Sequence, residues 1–363
     1  MISQTGIVVA ICVLFAWSNT AFAQDPIDIE AEPDDARRWS IYGDLLLRGE
    51  HTRDIPGRTD DLQRLRSRFR AGARMDADAI EFGVAVEASL GSDRNQDNRA
   101  NNDNERSDAV NLDELYVRWR PTDNTSVLLG KTAFPIQLTP LLWDDDLRPI
   151  GVSASHSIAT GAFSRLHLVG GYFAGDHLYG DESRIAAAQL GWFWNEGAAI
   201  GGDVQLAWLD FSNLQALVDH GLGRTNRRVA GVLVNDYQLA DLQLGLNARV
   251  GEALWRMRLD LVRNMGAVDE HADGARLSLI RGDARVADGI ELGFAIQRFQ
   301  RDAVLAAFTS DDWWFHSFGR GVMPWVAYGI NDRWRVQLSA FRETRDGIAD
   351  PTDRVLLDVH ANW

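Results

Sequence analysis

Residues 64–71 read Arg64-Leu65-Arg66-Ser67-Arg68-Phe69-Arg70-Ala71, so that arginines alternate with small or apolar residues. An alternation of two residues is the period of a β-strand, whereas residues on one face of a helix recur every three or four positions. The stretch therefore predicts a strand with one cationic face and one smooth apolar face. A soluble antiparallel sheet can also carry such a strand, with the arginines in water.

The same alternation returns along most of the chain. In residues 79–92, Phe82 and Val84 fall on one face, and Glu81 and Glu87 fall on the other. This pattern predicts the wall of a transmembrane β-barrel, in which alternate side chains face lipid and a wet lumen. A charge on the lipid face at mid-depth costs about 2–4 kcal/mol, so an apolar outer face on nearly every strand favours the barrel over a soluble sheet.

Candidate strands follow one another from residue 39 to the end of the chain. They span residues 39–52, 62–76, 79–92, 110–121, 124–133, 150–157, 163–175, 183–195, 199–211, 237–250, 252–264, 272–283, 288–301, 316–330, 332–345 and 352–363. Their connections alternate between short turns and long loops, as in barrels with short periplasmic turns and longer external loops. A propeller is the main alternative, but no motif recurs in groups of four strands. We therefore predict an all-β fold, a transmembrane antiparallel β-barrel of roughly 16 strands.

Tryptophans mark the ends of several predicted strands. In the predicted topology they come to lie near one rim, as in an interfacial aromatic belt: Trp39, Trp119, Trp192, Trp194, Trp255, Trp334 and Trp363. The last strand places apolar side chains on one face and ends in Trp363. It resembles the closing strand by which the barrel assembly machinery recognises outer-membrane barrels, and the alternative is an ordinary edge strand.

The start of the chain predicts a secretory signal peptide. Residues 1–23 carry no charged side chain, and the apolar run 7–17 precedes the small-x-small pattern at 21–23. The run is too short to span a bilayer, and a buried core helix is the alternative. We expect a signal peptide at 1–23, a flexible lead-in at 24–38 and an outer-membrane β-barrel at 39–363.

The composition excludes several classes of function. The chain has 52 Asp and Glu residues against 37 Lys and Arg residues, which argues against a nucleic-acid partner. Its one cysteine, Cys12, lies in the predicted signal peptide, so the mature chain offers no disulfide or thiol chemistry. We find no phosphate loop, no dinucleotide fingerprint and no histidine spacing typical of a metal site, and we expect no cofactor and no metal.

Several segments together carry a family resemblance. They are Leu62-Gln63-Arg64-Leu65-Arg66-Ser67-Arg68-Phe69-Arg70, Leu112-Asp113-Glu114-Leu115-Tyr116-Val117-Arg118-Trp119, Gly130-Lys131, Trp143-Asp144-Asp145-Asp146-Leu147, Pro149-Ile150-Gly151, Asp236-Tyr237 and Asp311-Asp312-Trp313. With these motifs the chain resembles the putative porin family of Gram-negative outer-membrane β-barrels and, more distantly, the alginate-export barrels. The resemblance implies a location in the outer membrane of a Gram-negative bacterium.

The predicted strand number has a functional consequence. Barrels of about sixteen strands leave an aqueous channel, whereas about eight strands are filled by side chains. We therefore expect a porin for the diffusion of small hydrophilic, including anionic, solutes and not an enzyme. The alternatives are a channel for an anionic oligo- or polysaccharide and, less favoured, a lipid hydrolase. Expected partners are outer-membrane lipid and lipopolysaccharide, the barrel assembly machinery, small polar solutes and further copies in a homotrimer.

Charged lumen residues are the candidate site, and we expect no catalytic residues. One interpretation is a positive track for anionic solutes, formed by Arg64, Arg66, Arg68 and Arg70. The equally favoured alternative is a solvated wall whose positive charge is neutralised by acidic neighbours such as Glu81, Glu87, Asp44 and Glu50. Further pore-lining arginines are expected at Arg118, Arg256, Arg258, Arg333 and Arg335. Loop 134–149 is the third external loop, which folds inward in general porins. Asp144, Asp145 and Asp146 would then face the arginines across a constriction, and the alternative is a solvated acidic loop on the rim.

Overall fold

The chain forms a closed antiparallel β-barrel of sixteen strands. The computed structural model describes residues 37–91, 109–175, 183–268 and 270–363. The predicted signal peptide at 1–23 and most of the predicted lead-in lie outside the described residues. The predicted fold class is confirmed, including the strand number.

Each predicted strand corresponds to one strand of the barrel. The barrel strands are β1 (Arg37–Arg53), β2 (Leu62–Ala77), β3 (Ile80–Gly91), β4 (Ala109–Thr122), β5 (Thr125–Lys131), β6 (Ile150–Gly161), β7 (Ser164–Ala174), β8 (Arg184–Trp194), β9 (Ile200–Ser212), β12 (Tyr237–Val250), β13 (Ala253–Asn264), β14 (Asp273–Gly282), β15 (Ile290–Phe299), β16 (Gly319–Gly329), β17 (Trp334–Arg345) and β18 (Thr352–Asn362). The connection between β9 and β12 contains a short helix, α1 (Gln215–Asp219), and a small hairpin of β10 (Arg228–Val229) and β11 (Val232–Leu233). Among the described residues, no helix is long and apolar enough to cross a membrane.

Some strand boundaries differ from the sequence prediction. β6 runs past its predicted end at residue 157, because it stays paired with β7 as far as Gly161. β16 begins at Gly319 rather than at residue 316, because Phe318 adopts a φ of 61° and ends the preceding loop. β1 begins at Arg37, since the first two residues of this strand already pair with the end of β2.

The two ends of the chain close the barrel. β1 pairs with β18 from Asp44 to Arg53, and the main-chain N–H and C=O of Trp363 each bond to Gly43 at 3.2 Å. The Trp363 ring stacks on Phe69 with ring centroids 5.5 Å apart. A Cβ atom at Gly43 would lie 2.5 Å from the Trp363 ring, so this position requires glycine for the ring to pack there.

Short turns lie at one rim of the barrel and long connections at the other, as the sequence predicted. The long-loop rim is the external one in barrels of this class. Three long connections matter for the site: loop A (residues 132–149), loop B (residues 213–236) and loop C (residues 300–318).

The outer face of the barrel is apolar and exposed. Ile41 is 78% exposed, Leu90 is 64% exposed and Val110 is 76% exposed. At the short-turn rim, Trp39 and Trp119 also face outward with 68% and 50% exposure. Apolar side chains at these exposures are typical of a surface that meets hydrocarbon rather than water.

The inner face has two chemically different halves. From β7 to β13 many inward-facing residues are apolar and buried, namely Val169, Phe173, Ile185, Leu209, Phe211, Leu239 and Val262. They pack against loops A, B and C in one cluster that includes Trp143, Leu217 and Phe308. The sequence predicted a polar lumen on all sides. Towards the long-loop rim this half is apolar instead, because the loops cover it there and exclude water. Closer to the short-turn rim its inward-facing residues are polar, among them Gln205, Gln243 and Asp260.

Candidate channel constriction

Strand β2 presents its arginines to the interior of the barrel. Arg64, Arg66, Arg68 and Arg70 contact carboxylates of the neighbouring strands and of loops A and C. We call these four residues the arginine ladder. The alternation of two residues therefore places all four predicted residues together, on one wall.

Glu50 of β1 forms ion pairs with the first two residues of the ladder. Its carboxylate lies 2.5 Å from Arg64, 3.3 Å from Arg66 and 3.4 Å from Arg354 of β18. The side chains of Glu50 and Arg64 are both 0% exposed. Since a buried charge that loses its partner is strongly destabilising, Arg64 has a structural role here.

A second group of ion pairs lies beside the ladder on β1 and β18. Arg48 contacts Asp358 at 2.7 Å and Asp312 of loop C at 2.5 Å. The neighbouring Asp311 lies 3.9 Å from Arg66. Loop C therefore brings two carboxylates to the arginine wall, which the sequence analysis did not predict.

Loop A brings the acidic group that the sequence did predict. Asp146 forms ion pairs with both Arg68 and Arg70, and its carboxylate oxygen lies 3.2 Å from Arg70 Nη1. Burial raises the pKa of Asp146, but Arg68, Arg70 and Arg148 lower it more, and the pKa is held well below its usual value. Asp146 is therefore ionised at neutral pH and remains attached to the ladder.

The other two predicted loop residues have different positions. Asp144 is buried, and its carboxylate accepts the backbone N–H groups of Asp146 and Asp311 at 3.0 Å, which joins loop A to loop C. Asp145 is solvent-accessible within the barrel. Enclosure by the protein raises the pKa of Asp145, and the charge of Asp146 adds to this.

Strand β4 adds two more carboxylates through a β-bulge. The register with β3 shifts between Ala85 and Val86, so that Asp113 and Glu114 both point inward. Asp113 lies 3.4 Å from Arg70, and Glu114 accepts a 2.5 Å hydrogen bond from the Tyr42 hydroxyl. Two adjacent lumen residues break the period of two, which is why strand alternation alone does not find this pair.

Loop A is held in place by apolar packing and by the opposite wall. Trp143 is 4% exposed and stacks on Phe134 at 4.2 Å and on Phe308 of loop C at 5.3 Å. The Thr139 hydroxyl donates to the Asp260 carboxylate on β13, and the Gln137 carbonyl accepts from Gln189 and Gln243 side chains. These contacts support the inward-folded loop rather than a loop on the rim.

Loop C is fixed by buried polar side chains. Asn226 of loop B donates to the carbonyls of Arg301 and Val304, each at 2.9 Å. Glu343 of β17 accepts the backbone N–H groups of Trp314 at 2.8 Å and Phe315 at 3.1 Å. These bonds satisfy two backbone carbonyls and two backbone N–H groups of loop C, as its interior position requires.

The remaining predicted arginines do not join the ladder. Arg118 lies 3.1 Å from Glu81, Arg256 lies 2.8 Å from Glu291, and Arg258 lies 3.0 Å from Asp203. Arg335 faces inward on β17, nearer the short-turn rim. Arg333 lies on the exposed turn between β16 and β17, outside the barrel wall. The structure thus divides the predicted set into the ladder, three arginines in separate local ion pairs, and Arg333 and Arg335.

Comparison with protein-family models matches residues 50–238 to the model described as a putative porin. This is just over half of the chain. The chain belongs to the putative porin family. It is a transport protein of the Gram-negative outer membrane. Its family and its fold both indicate a channel rather than an enzyme.

Solved structures of bacterial porins share the fold of this porin. OprB of Pseudomonas putida superposes with a TM-score of 0.58 at 11% identity, covering 90% of this porin and 94% of OprB. OmpT of Vibrio cholerae, in its trimer form, gives 0.54 at 12% identity, with 91% and 100% covered. The anion-selective porin of Comamonas acidovorans gives 0.53 at 12% identity, with 90% and 100% covered. A comparison with curated protein sequences gives no significant match.

Proposed function

We propose that this porin passes small hydrophilic solutes, and that anionic groups on these solutes interact with the arginine ladder. The observation that carries the proposal is the shared contact of Arg68 and Arg70 with one carboxylate, that of Asp146. Guanidinium groups bind carboxylate and phosphate oxygens in the same geometry. A place that holds a protein carboxylate is therefore suited to an anionic solute of similar size.

Acidic residues limit how strongly the ladder attracts anions. The side chains of Arg66 and Arg68 are each 14% exposed, whereas Asp312 is 40% exposed and Asp146 is 24% exposed. A solute therefore meets the loop carboxylates as well as the guanidinium groups. Opposite charges across a narrow passage produce a transverse field that orients polar solutes.

Reversal potentials in planar bilayers test the proposal. The variant Arg68→Ser with Arg70→Ser should reduce the ratio of anion to cation permeability. Arg64 is left intact, because its complete burial against Glu50 gives it a structural role. The matched control, Arg281→Ser with Arg342→Ser, removes the same charge from the outward face and should leave the ratio unchanged. Equal ratios in the ladder variant and the wild type would refute the proposed role.

Ion-current measurements in the same bilayers distinguish a general porin from a channel for an anionic oligo- or polysaccharide. An oligosaccharide substrate should block the ion current at micromolar to millimolar concentration, and a general porin should show no such block. We retain the general porin, because loops A and C fold into the interior, through which a polymeric substrate would have to pass.

We further propose that this porin assembles as a homotrimer. The support is the likeness to OmpT of Vibrio cholerae, whose structure is described as a trimer form. Light scattering coupled to size exclusion in mild detergent measures the protein mass directly. A monomeric mass at every concentration would refute a stable trimer.

A further inference from the structure

The outer face of the barrel carries a groove between β9 and β15, towards the long-loop rim. It has a volume of about 750 Å³ and is lined by outward-facing residues that include Leu206, Trp208, Ala240, Leu242, Leu261 and Ala275. In the strand register, Trp208 lies opposite Ala240, and Leu261 lies opposite Ala275. The two alanines leave space between larger neighbours, and they form the floor of the groove.

A pair of arginines stands at one side of this groove. Arg298 lies directly opposite Ala275 on one neighbouring strand and directly opposite Arg320 on the other. Both arginines face outward and are exposed. Arg320 donates to the Thr344 hydroxyl at 3.1 Å, and within the described part of the chain neither guanidinium has a carboxylate within 4.0 Å. Like charges directly opposite one another on paired strands are destabilising unless an anion separates them.

Two other charged residues that line the groove, on β13 and β14, neutralise each other. Arg263 and Asp273, which also line the groove, form an ion pair with a distance of 3.1 Å. Gln300 accepts the backbone N–H of Asp273 at 2.9 Å. The unneutralised positive charge is therefore confined to the side that Arg298 and Arg320 occupy.

We propose that this groove binds a phosphate-bearing lipid of the external leaflet, with an acyl chain in the groove and the phosphate between Arg298 and Arg320. The groove faces the membrane, so its apolar floor meets hydrocarbon. The arginines lie at the rim where lipid headgroups are found, and guanidinium groups bind phosphate by paired charge-assisted hydrogen bonds. A second copy of the chain is a poorer occupant, because it would bury two arginines without a partner. This site is separate from the lumen and does not depend on the proposed selectivity.

Native mass spectrometry of the folded protein in detergent tests this assignment, with bisphosphorylated lipid A as the probe. The variant Arg298→Gln with Arg320→Gln should bind the lipid about tenfold more weakly or worse, as expected for the loss of charge-assisted hydrogen bonds. The matched control Arg281→Gln removes an exposed outward arginine at the opposite rim and should bind like the wild type. Ala275→Trp fills the groove and should also weaken binding, although both arginines remain.

Several results would overturn the assignment. Equal affinity of the double variant and the wild type would show that the arginines do not bind the phosphate. Equal affinity of the wild type for lipid A with and without its phosphates would also show that the arginines do not bind the phosphate. Displacement of the lipid by millimolar inorganic phosphate would reassign the site to free anions. A change of oligomeric state in Ala275→Trp would reassign the groove to contact between copies of the chain.

Discussion

Replacing Asp146 by asparagine should increase the preference of this porin for anions. The change keeps the shape of the side chain and removes one negative charge, which now lies against Arg68 and Arg70. Both guanidinium groups then lose their loop partner and keep only their strand partners, so more of their positive charge acts on a passing anion. The carboxyl is ionised in the wild type, because the arginines hold its pKa well below the usual value against the effect of burial.

The size of the effect follows from the geometry. The Asp146 carboxylate lies 3.2 Å from Arg70, so an anion on the other side of the guanidinium sits at roughly twice that distance, about 7 Å from the carboxylate. Two charges at about 7 Å interact by about 0.6 kcal/mol in water, with opposite signs for anions and cations. The permeability ratio should therefore rise about fivefold in 0.01 M salt and about threefold in 0.1 M salt, where screening is stronger.

Reversal potentials across a salt gradient in planar bilayers measure this ratio. Asp145→Asn is the matched control, since it removes the same charge from the neighbouring position of loop A without releasing an ion pair at the ladder. Its effect should be clearly smaller than that of Asp146→Asn. The reasoning is refuted if Asp146→Asn leaves the ratio unchanged or lowers it, or if both variants shift it equally.

Three further predictions follow from the same contacts. Gly43→Val should destabilise the barrel by about 1–3 kcal/mol in urea unfolding from lipid vesicles, because a side chain there meets the Trp363 ring at 2.5 Å; equal midpoints would contradict the packing of this ring. Trp143→Ala should cost about 3–5 kcal/mol of packing within loop A and should increase the open-channel noise in single-channel recordings, since the buried ring stacks between two phenylalanines. The pKa of Asp146 is lowered, so its ion pairs form above the unfolded aspartate pKa of about 3.9 and are lost only as the pH falls through the lower folded value. The difference in permeability ratio between Asp146→Asn and the wild type should therefore persist from pH 7 to about pH 4. Its disappearance at pH 5 would show that Asp146 does not form its ion pairs with the arginine ladder.

The strands could be predicted from the sequence because lipid imposes a simple rule on them. Outward positions at mid-depth must be apolar, so the period of two survives in nearly every strand and reveals both the strands and the inward-facing ladder. The bulge in β4 breaks this rule locally, and Asp113 and Glu114 were therefore not recognised as a lumen pair. Their position depends on the register with β3, which no single strand encodes.

The loops were harder to predict, because their path depends on contacts across the barrel. For loop A the sequence left two possibilities open, an inward fold and a solvated acidic loop on the rim, whereas loop C was treated as an external connection. Its buried apolar run Ala303-Val304-Leu305-Ala306-Ala307-Phe308 was a usable signal, since an external loop gains nothing from such a run. The inward-facing Leu209 and Leu239 also indicate an inward-folded loop, because apolar residues on the lumen side of a strand must be shielded from water.

The apolar and charged halves of the interior therefore depend on each other. Packing of Trp143 and Phe308 in the apolar half holds loops A and C, and the same loops carry Asp146 and Asp312 to the arginines of the other half. Loosening the apolar half should thus withdraw carboxylates from the ladder without altering any charge. We therefore expect Trp143→Ala to shift the permeability ratio in the same direction as Asp146→Asn, and to lower the stability of the protein as well. A Trp143→Ala variant that lost stability but kept the wild-type ratio would show that the loop carboxylates reach the arginines independently of the apolar packing.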